Sequence, residues 1–149
     1  RMGQLAAAVA LAQMEQNDYF INLRRESGLA YTKAILNSDL LTAQHVSKGY
    51  TNTYYTFSAK FNGGQHGIKW EDFRQKYMEF GGDGIYAASK LIHQEPAFYK
   101  NSIGYGETPV AVDLQQRLMN FTTNQATVHE REVQTVAMQK TLKYFGDHS

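Results

Sequence analysis

The chain has 149 residues and no cysteine, which fits one domain around one core and excludes disulfides, thiolate metal sites and a cysteine nucleophile. With 15 Lys plus Arg against 14 Asp plus Glu, its formal net charge of +1 offers no broad field to hold nucleic acid. Charged residues are 19% of the chain, against roughly 25% in an average soluble domain, so the surface is polar but weakly charged, a composition that leans towards secreted, periplasmic or particle-associated proteins.

The first residues do not combine the basic start, long apolar stretch and small-residue cleavage site of a signal peptide. The longest apolar run, residues 5–12, falls short of the roughly 20 residues that a membrane span needs. Over residues 4–25, Leu5, Ala8, Val9, Ala12, Tyr19 and Leu23 follow a helical stripe, with Gly28 placed to end it. Residues 29–36 read as a second short helical stretch. Asn37 and Ser38 then offer N-cap oxygens to a helix over 39–48 that Gly49 stops.

Residues 50–61 fit two periods. Tyr55, Phe57, Ala59 and Phe61 alternate as a half-buried strand does, while Tyr50, Thr53, Tyr54, Phe57 and Phe61 fall at helical spacing. No second stretch reads as a strand to pair with it, and a lone strand is unstable, so helix is expected, with one short strand or hairpin as the alternative.

Residues 62–67 are glycine-rich and read as a loop. An amphipathic helix follows over 68–80, with Trp70, Phe73, Tyr77 and Phe80 on its apolar side and Gly81 and Gly82 at its end. Asp83 is placed to cap a helix carrying Ile85, Ala88, Leu91 and Ile92, which Pro96 closes. After a loop over 97–107, Thr108 and Pro109 start the longest helical region, in which Val110, Leu114, Leu118, Phe121, Val133 and Val136 are expected to be buried. Residues 122–124 kink it, and Thr127 with Glu130 forms a capping box for the restart towards Gly146. With no repeat and no dividing linker, the expectation is a single all-α domain over residues 1–149, a bundle of five or six helices.

Catalytic patterns are sparse. His45, His66, His93, His129 and His148 form no pair at helical spacing, and Val133 occupies the place where a zinc-protease helix beginning His129-Glu130 needs its second histidine, so no metal site is expected. The glycine loops at 81–84 and 104–109 each carry their own acid, Asp83 or Glu107, which occupies the helix start an anion would use. No cofactor motif and no Gly-x-Ser-x-Gly element is present, and no calcium loop is expected, since Asp83 stands without alternating acids.

The run Arg25-Glu26-Ser27-Gly28-Leu29 resembles the short Glu-Ser-Gly element of lytic transglycosylases and related lysozyme-like enzymes. That resemblance implies Glu26 as a general acid, partly buried so that it keeps its proton near neutral pH. The Gly-Leu-Met-Gln type of segment expected downstream is replaced by Ala30-Tyr31-Thr32-Lys33 after Leu29.

Among the aromatic residues, those over 50–61 read as core filling. Phe98, Tyr99, Ile103 and Tyr105 lie in the loop between Pro96 and Pro109 and are too apolar for a solvated connection, so they are read as an interface with a protein partner or a second copy. The leading functional expectation is therefore a non-enzymatic interaction or assembly subunit of a secretion, surface or virion structure. The alternative is a lysozyme-like peptidoglycan hydrolase using Glu26. A helical small-molecule binding protein, with a cavity among the aromatics, is third.

Overall fold

The computed structural model describes residues 2–87, 90–100 and 108–146. In chain order the elements are α1 (Gln4–Glu15), α2 (Asn17–Ala34), β1 (Leu41–Ala43), β2 (Phe57–Phe61), α3 (Trp70–Glu79), β3 (Ile85–Tyr86), α4 (Pro96–Tyr99), α5 (Pro109–Gln115), β4 (Leu118–Phe121) and α6 (Val128–Tyr144), with 3-10 turns at Gly63–His66 and Ile92–Gln94. The four strands form one sheet in the order β1-β2-β4-β3, and every pairing is antiparallel. The expected all-α bundle is thus corrected to helices packed on a sheet.

The correction turns on residues 57–61. Phe57, Ala59 and Phe61 are buried on one face of β2 while Ser58 and Lys60 are half-buried on the other, the period-2 pattern of a sheet with one covered side. The strand is not alone. Leu41 pairs with Phe61 on one side, and Phe57 and Ala59 pair with Phe121 and Met119 on the other. On the less buried face, the Ser58 hydroxyl donates to Asn120 Oδ1 at 2.7 Å.

Helices α2, α3 and α6 cover the apolar face, and both α2 and α3 pack on α6. Tyr31 stacks on Phe57 at 5.2 Å between ring centroids, Phe73 meets Phe61 at 5.3 Å and Tyr77 meets Phe121 edge-on at 5.5 Å. Met138 and Leu142 of α6 complete this core.

Several local expectations change with the sheet. Gly28 does not end a helix: α2 runs through it to Ala34, and a Cβ there would lie 2.3 Å from the Tyr54 ring. The Ser38 hydroxyl accepts from the N–H groups of Leu40 and Leu41 at 3.1 and 3.0 Å, but the chain then enters β1 rather than a helix over 39–48. The stretch after Asp83 forms β3, and Pro96 opens α4 instead of closing a helix.

The expected C-terminal helical region divides into α5, β4, a connection and α6. Of its six predicted core residues only Phe121 is buried; Val110, Leu114, Val133 and Val136 are exposed and Leu118 is intermediate. The buried stripe of α6 is instead Gln134, Ala137, Met138, Thr141 and Leu142.

Two readings form as expected. α3 spans Trp70–Glu79 with Phe73 and Tyr77 buried. Thr127 Oγ1 accepts from the Glu130 N–H at 3.1 Å while the Glu130 carboxylate accepts from the Thr127 N–H at 3.3 Å, the reciprocal capping box. Among the described residues no helix is long and apolar enough to cross a membrane.

Candidate functional site

At one end of the sheet the chain leaves a groove of about 1020 Å³. Its walls come from four separate places: the turn after β2 with Asn62 and Gln65, the start of α3 with Lys69, Trp70 and Glu71, the region of Ala87 and Gln94, and the end of α5 with Asp113, Gln116 and Arg117. The β2–β4 pairing fixes two of these walls against each other. Phe61 N–H donates to the Arg117 carbonyl at 2.6 Å, and the Trp70 indole N–H donates to the Leu118 carbonyl at 3.1 Å. Gly63 permits the tight turn below them, since a Cβ there would sit 2.0 Å from the Phe61 ring.

The chemistry of the lining is mixed. Trp70 gives a broad aromatic surface, the amides of Asn62, Gln65, Gln94 and Gln116 give donors and acceptors, and Lys69 and Arg117 are balanced by Glu71 and Asp113. Arg117 pairs with Asp113, while its buried Nε has no partner. An aromatic plane surrounded by amides and fixed charges suits a hydroxyl-rich or phosphorylated ligand better than an apolar one.

Behind the sheet lies a buried polar chain of hydrogen bonds. The Tyr31 and Tyr77 hydroxyls are 3.1 Å apart, Tyr77 donates to Gln134 Oε1 at 2.7 Å, and Gln134 Nε2 donates to Asp83 Oδ1 at 2.9 Å. Thr122 Oγ1 donates to the other Asp83 oxygen at 2.9 Å. Burial pushes the Tyr31 phenol up to about 12, the hydrogen bond shared with Tyr77 acting against it, and burial with the neighbouring Tyr31 raises Tyr77 as well. With their protons held so firmly, these phenols brace α2, α3 and α6 and are poor proton donors at neutral pH.

The residues singled out from the sequence lie elsewhere. Glu26 is 59% exposed and its carboxylate accepts from Arg131 Nη2 at 2.7 Å. The lysozyme-like reading requires a partly buried Glu26, and a side chain this exposed, turned to a guanidinium, does not meet that requirement, so the reading is withdrawn. Phe98 stands on α4 and is 39% exposed. The Tyr99 side chain, Ile103 and Tyr105 lie outside the described residues. The aromatics over 50–61 fill the core or face solvent, and of them Phe61 alone lines the groove. Among the described residues no group of three or more His, Asp or Glu side chains is arranged to hold a metal ion.

Sequence reasoning missed the groove because its walls, from Phe61 to Arg117, are separated by up to 56 positions and meet through the β2–β4 pairing. One signal pointed there: Trp70 is the single tryptophan of the chain, and it opens α3 directly after the glycine-rich turn.

Comparison with known proteins supplies what the geometry leaves open. The model of the DegT/DnrJ/EryC1/StrS aminotransferase family matches residues 1–139. Over 127 residues the chain is 32% identical to the GDP-perosamine synthase of Escherichia coli O157:H7, covering 81% of this chain and 31% of that protein. In fold it is similar to Helicobacter pylori PseC, an aminotransferase involved in the biosynthesis of pseudoaminic acid, with a TM-score of 0.79 and 13% identity over 97% of this chain and 38% of that one. It is also similar to the putative sugar aminotransferase Spr1654 from Streptococcus pneumoniae in its PMP form, with a TM-score of 0.76 and 14% identity over 97% and 36%. The chain spans about a third of the length of these relatives. A family match of this extent overturns the expected non-enzymatic assembly subunit, and with it the cell-wall hydrolase and the helical binding protein.

Aminotransferases work through pyridoxal phosphate, held as an imine on a lysine with a charged partner at the ring nitrogen. A lysine for that role has to be desolvated so that it can be uncharged. Among the described residues no lysine is buried; Lys69, at the groove, is exposed, and Lys76 is held protonated by Glu79. The described residues therefore do not fit the cofactor by themselves.

Proposed function

Since the chain belongs to the DegT/DnrJ/EryC1/StrS aminotransferase family, we propose that it is a portion of an enzyme that places an amino group on a nucleotide-linked sugar. The observation that carries this is the 32% identity to a GDP-perosamine synthase over 127 residues. Such an enzyme exchanges the C=O of a keto sugar for C–NH2 while its amine donor gains the C=O. The imine chemistry would be supplied by pyridoxal phosphate when bound, and the described residues offer no buried lysine to hold it.

This chain's own contribution is to bind and orient. In the proposed reading the Trp70 face stacks on a sugar or base ring, the amides of Asn62, Gln65 and Gln116 meet hydroxyls, and Lys69 with Arg117 faces the diphosphate.

The exposed α4 supports a second, narrower proposal: Phe98, Tyr99, Ile103 and Tyr105 form a contact surface for another polypeptide or a second copy within the enzyme.

The direct test is a chimera of the E. coli enzyme in which the region aligned with this chain is replaced by the residues of this chain that align with it. Conversion of a GDP-linked keto sugar to the amino sugar, read by mass spectrometry, is expected. A folded chimera that binds pyridoxal phosphate yet forms no amino sugar overturns the substrate assignment.

A further inference from the structure

Helix α1 is the feature that neither the core nor the groove accounts for. Gln4–Glu15 buries no residue, although Leu5, Val9, Leu11 and Met14 are apolar and Leu5 is 81% exposed. Residues 5–12 are apolar without a break, and at 3.6 residues per turn that run circles the axis about twice. A helix that is apolar all round belongs in the interior of a larger body or in a membrane.

The occupant can be chosen on the page. A lipid bilayer is a poor match, because 12 residues fall short of the roughly 20 of a span and α1 has no lysine or arginine to meet headgroups. A second copy laid alongside covers one side of the helix and leaves the other in water. Enclosure on every side requires a body larger than this chain supplies. The relatives are larger in that way, since the chain spans 31% of the GDP-perosamine synthase and 36% to 38% of the two solved aminotransferases.

We propose that α1 is a core helix of the complete enzyme, enclosed by the part of a family aminotransferase that this chain does not span. Tyr19 and Phe20 at the start of α2, both exposed, extend the same contact. The inference rests on family membership and on the surface of α1, and stands whichever sugar is the substrate.

The absence of cysteine makes the test clean. Val9→Cys places a single thiol at the middle of α1. In the isolated full chain that thiol is expected to react with a maleimide as a free thiol does, at every protein concentration. The chain is then co-expressed with the portion of the E. coli GDP-perosamine synthase lying outside the aligned region. Co-purification of the two polypeptides is expected, with thiol labelling slowed about tenfold or more, as for a locally protected site. Val9→Asp is expected to abolish co-purification while leaving the unfolding midpoint of the isolated chain unchanged, because Val9 lies outside the core. Failure to co-purify, a thiol that stays reactive in the complex, or co-purification that survives Val9→Asp overturns the proposal. Protection that rises with concentration of the isolated chain assigns α1 to a second copy instead, and protection by lipid vesicles assigns it to a membrane surface; either result overturns it too.

Discussion

Tyr31 and Tyr77 show how one pair of side chains ties this fold to pH. Their hydroxyls sit 3.1 Å apart beneath the sheet, and burial is the main reason both phenols hold their protons beyond the usual value of 10.0, Tyr31 to about 12. The unfolded chain releases these protons near pH 10 and the folded chain keeps them. Above that pH the unfolded state binds fewer protons, so stability falls as pH rises, at about 1.4 kcal/mol per pH unit for each phenol still neutral in the fold. Below pH 10 this contribution is fully present. The melting temperature is therefore expected to hold steady to about pH 10 and then decline, and Tyr31→Phe should reduce the slope between pH 10 and about 12. An unchanged slope in the variant would locate the alkaline sensitivity in other residues.

At the scale of elements, α2 carries the clearest conflict between local propensity and packing. Alanine is favoured over glycine inside a helix by about 1 kcal/mol, so Gly28→Ala should stabilise α2 taken alone. In the fold the Tyr54 ring lies where the new Cβ would be, at 2.3 Å, and Tyr54 is itself fixed by a positive φ of 51° and by the bond from its N–H to Asn52 Oδ1. Moving a ring held in that way costs about 1–3 kcal/mol, which outweighs the helical gain. Gly28→Ala is expected to lower the urea midpoint, and Tyr54→Ala in the same chain should let the helical gain reappear; additive effects of the two substitutions would sink the account.

The same conflict explains what the sequence made legible. α3 could be read because Phe73 and Tyr77 recur at helical spacing within ten residues, and the Thr127–Glu130 capping box because its partners are three apart. β2 could be read only as the alternative to a helix, since the partner that makes it a strand is Leu118–Phe121, which carries the helical spacing of Leu114, Leu118 and Phe121 and gives no strand signal of its own. The groove was hidden for the same reason, its Lys69–Trp70 and Asp113–Arg117 walls being joined by that pairing. Glu26 misled because the chain at Gly28 reads as a helix end, whereas Tyr54 from another segment requires the glycine there.

For the whole molecule, the one-domain expectation becomes a statement about cooperativity. A single buried cluster links Tyr31 and Ile35 of the α2 region, Phe57 and Phe61 of β2, Phe73 and Tyr77 of α3, Phe121 of β4 and Met138 and Leu142 of α6, so no layer can leave without opening the others. Trp70, packed against that cluster and bonded to Leu118, reports on it as the only tryptophan. α1 adds nothing to the cluster, and an isolated helix of its 12 residues is marginal in water. Urea unfolding is therefore expected to give one sigmoidal transition in tryptophan fluorescence, with far-UV circular dichroism sharing its midpoint but carrying an added sloping loss as α1 frays. Removing residues 1–15 should abolish the slope and leave the midpoint in place. Two resolved midpoints for fluorescence and dichroism in the shortened chain would mean that the helices and the sheet unfold as separate units, and the one-domain proposal would fall.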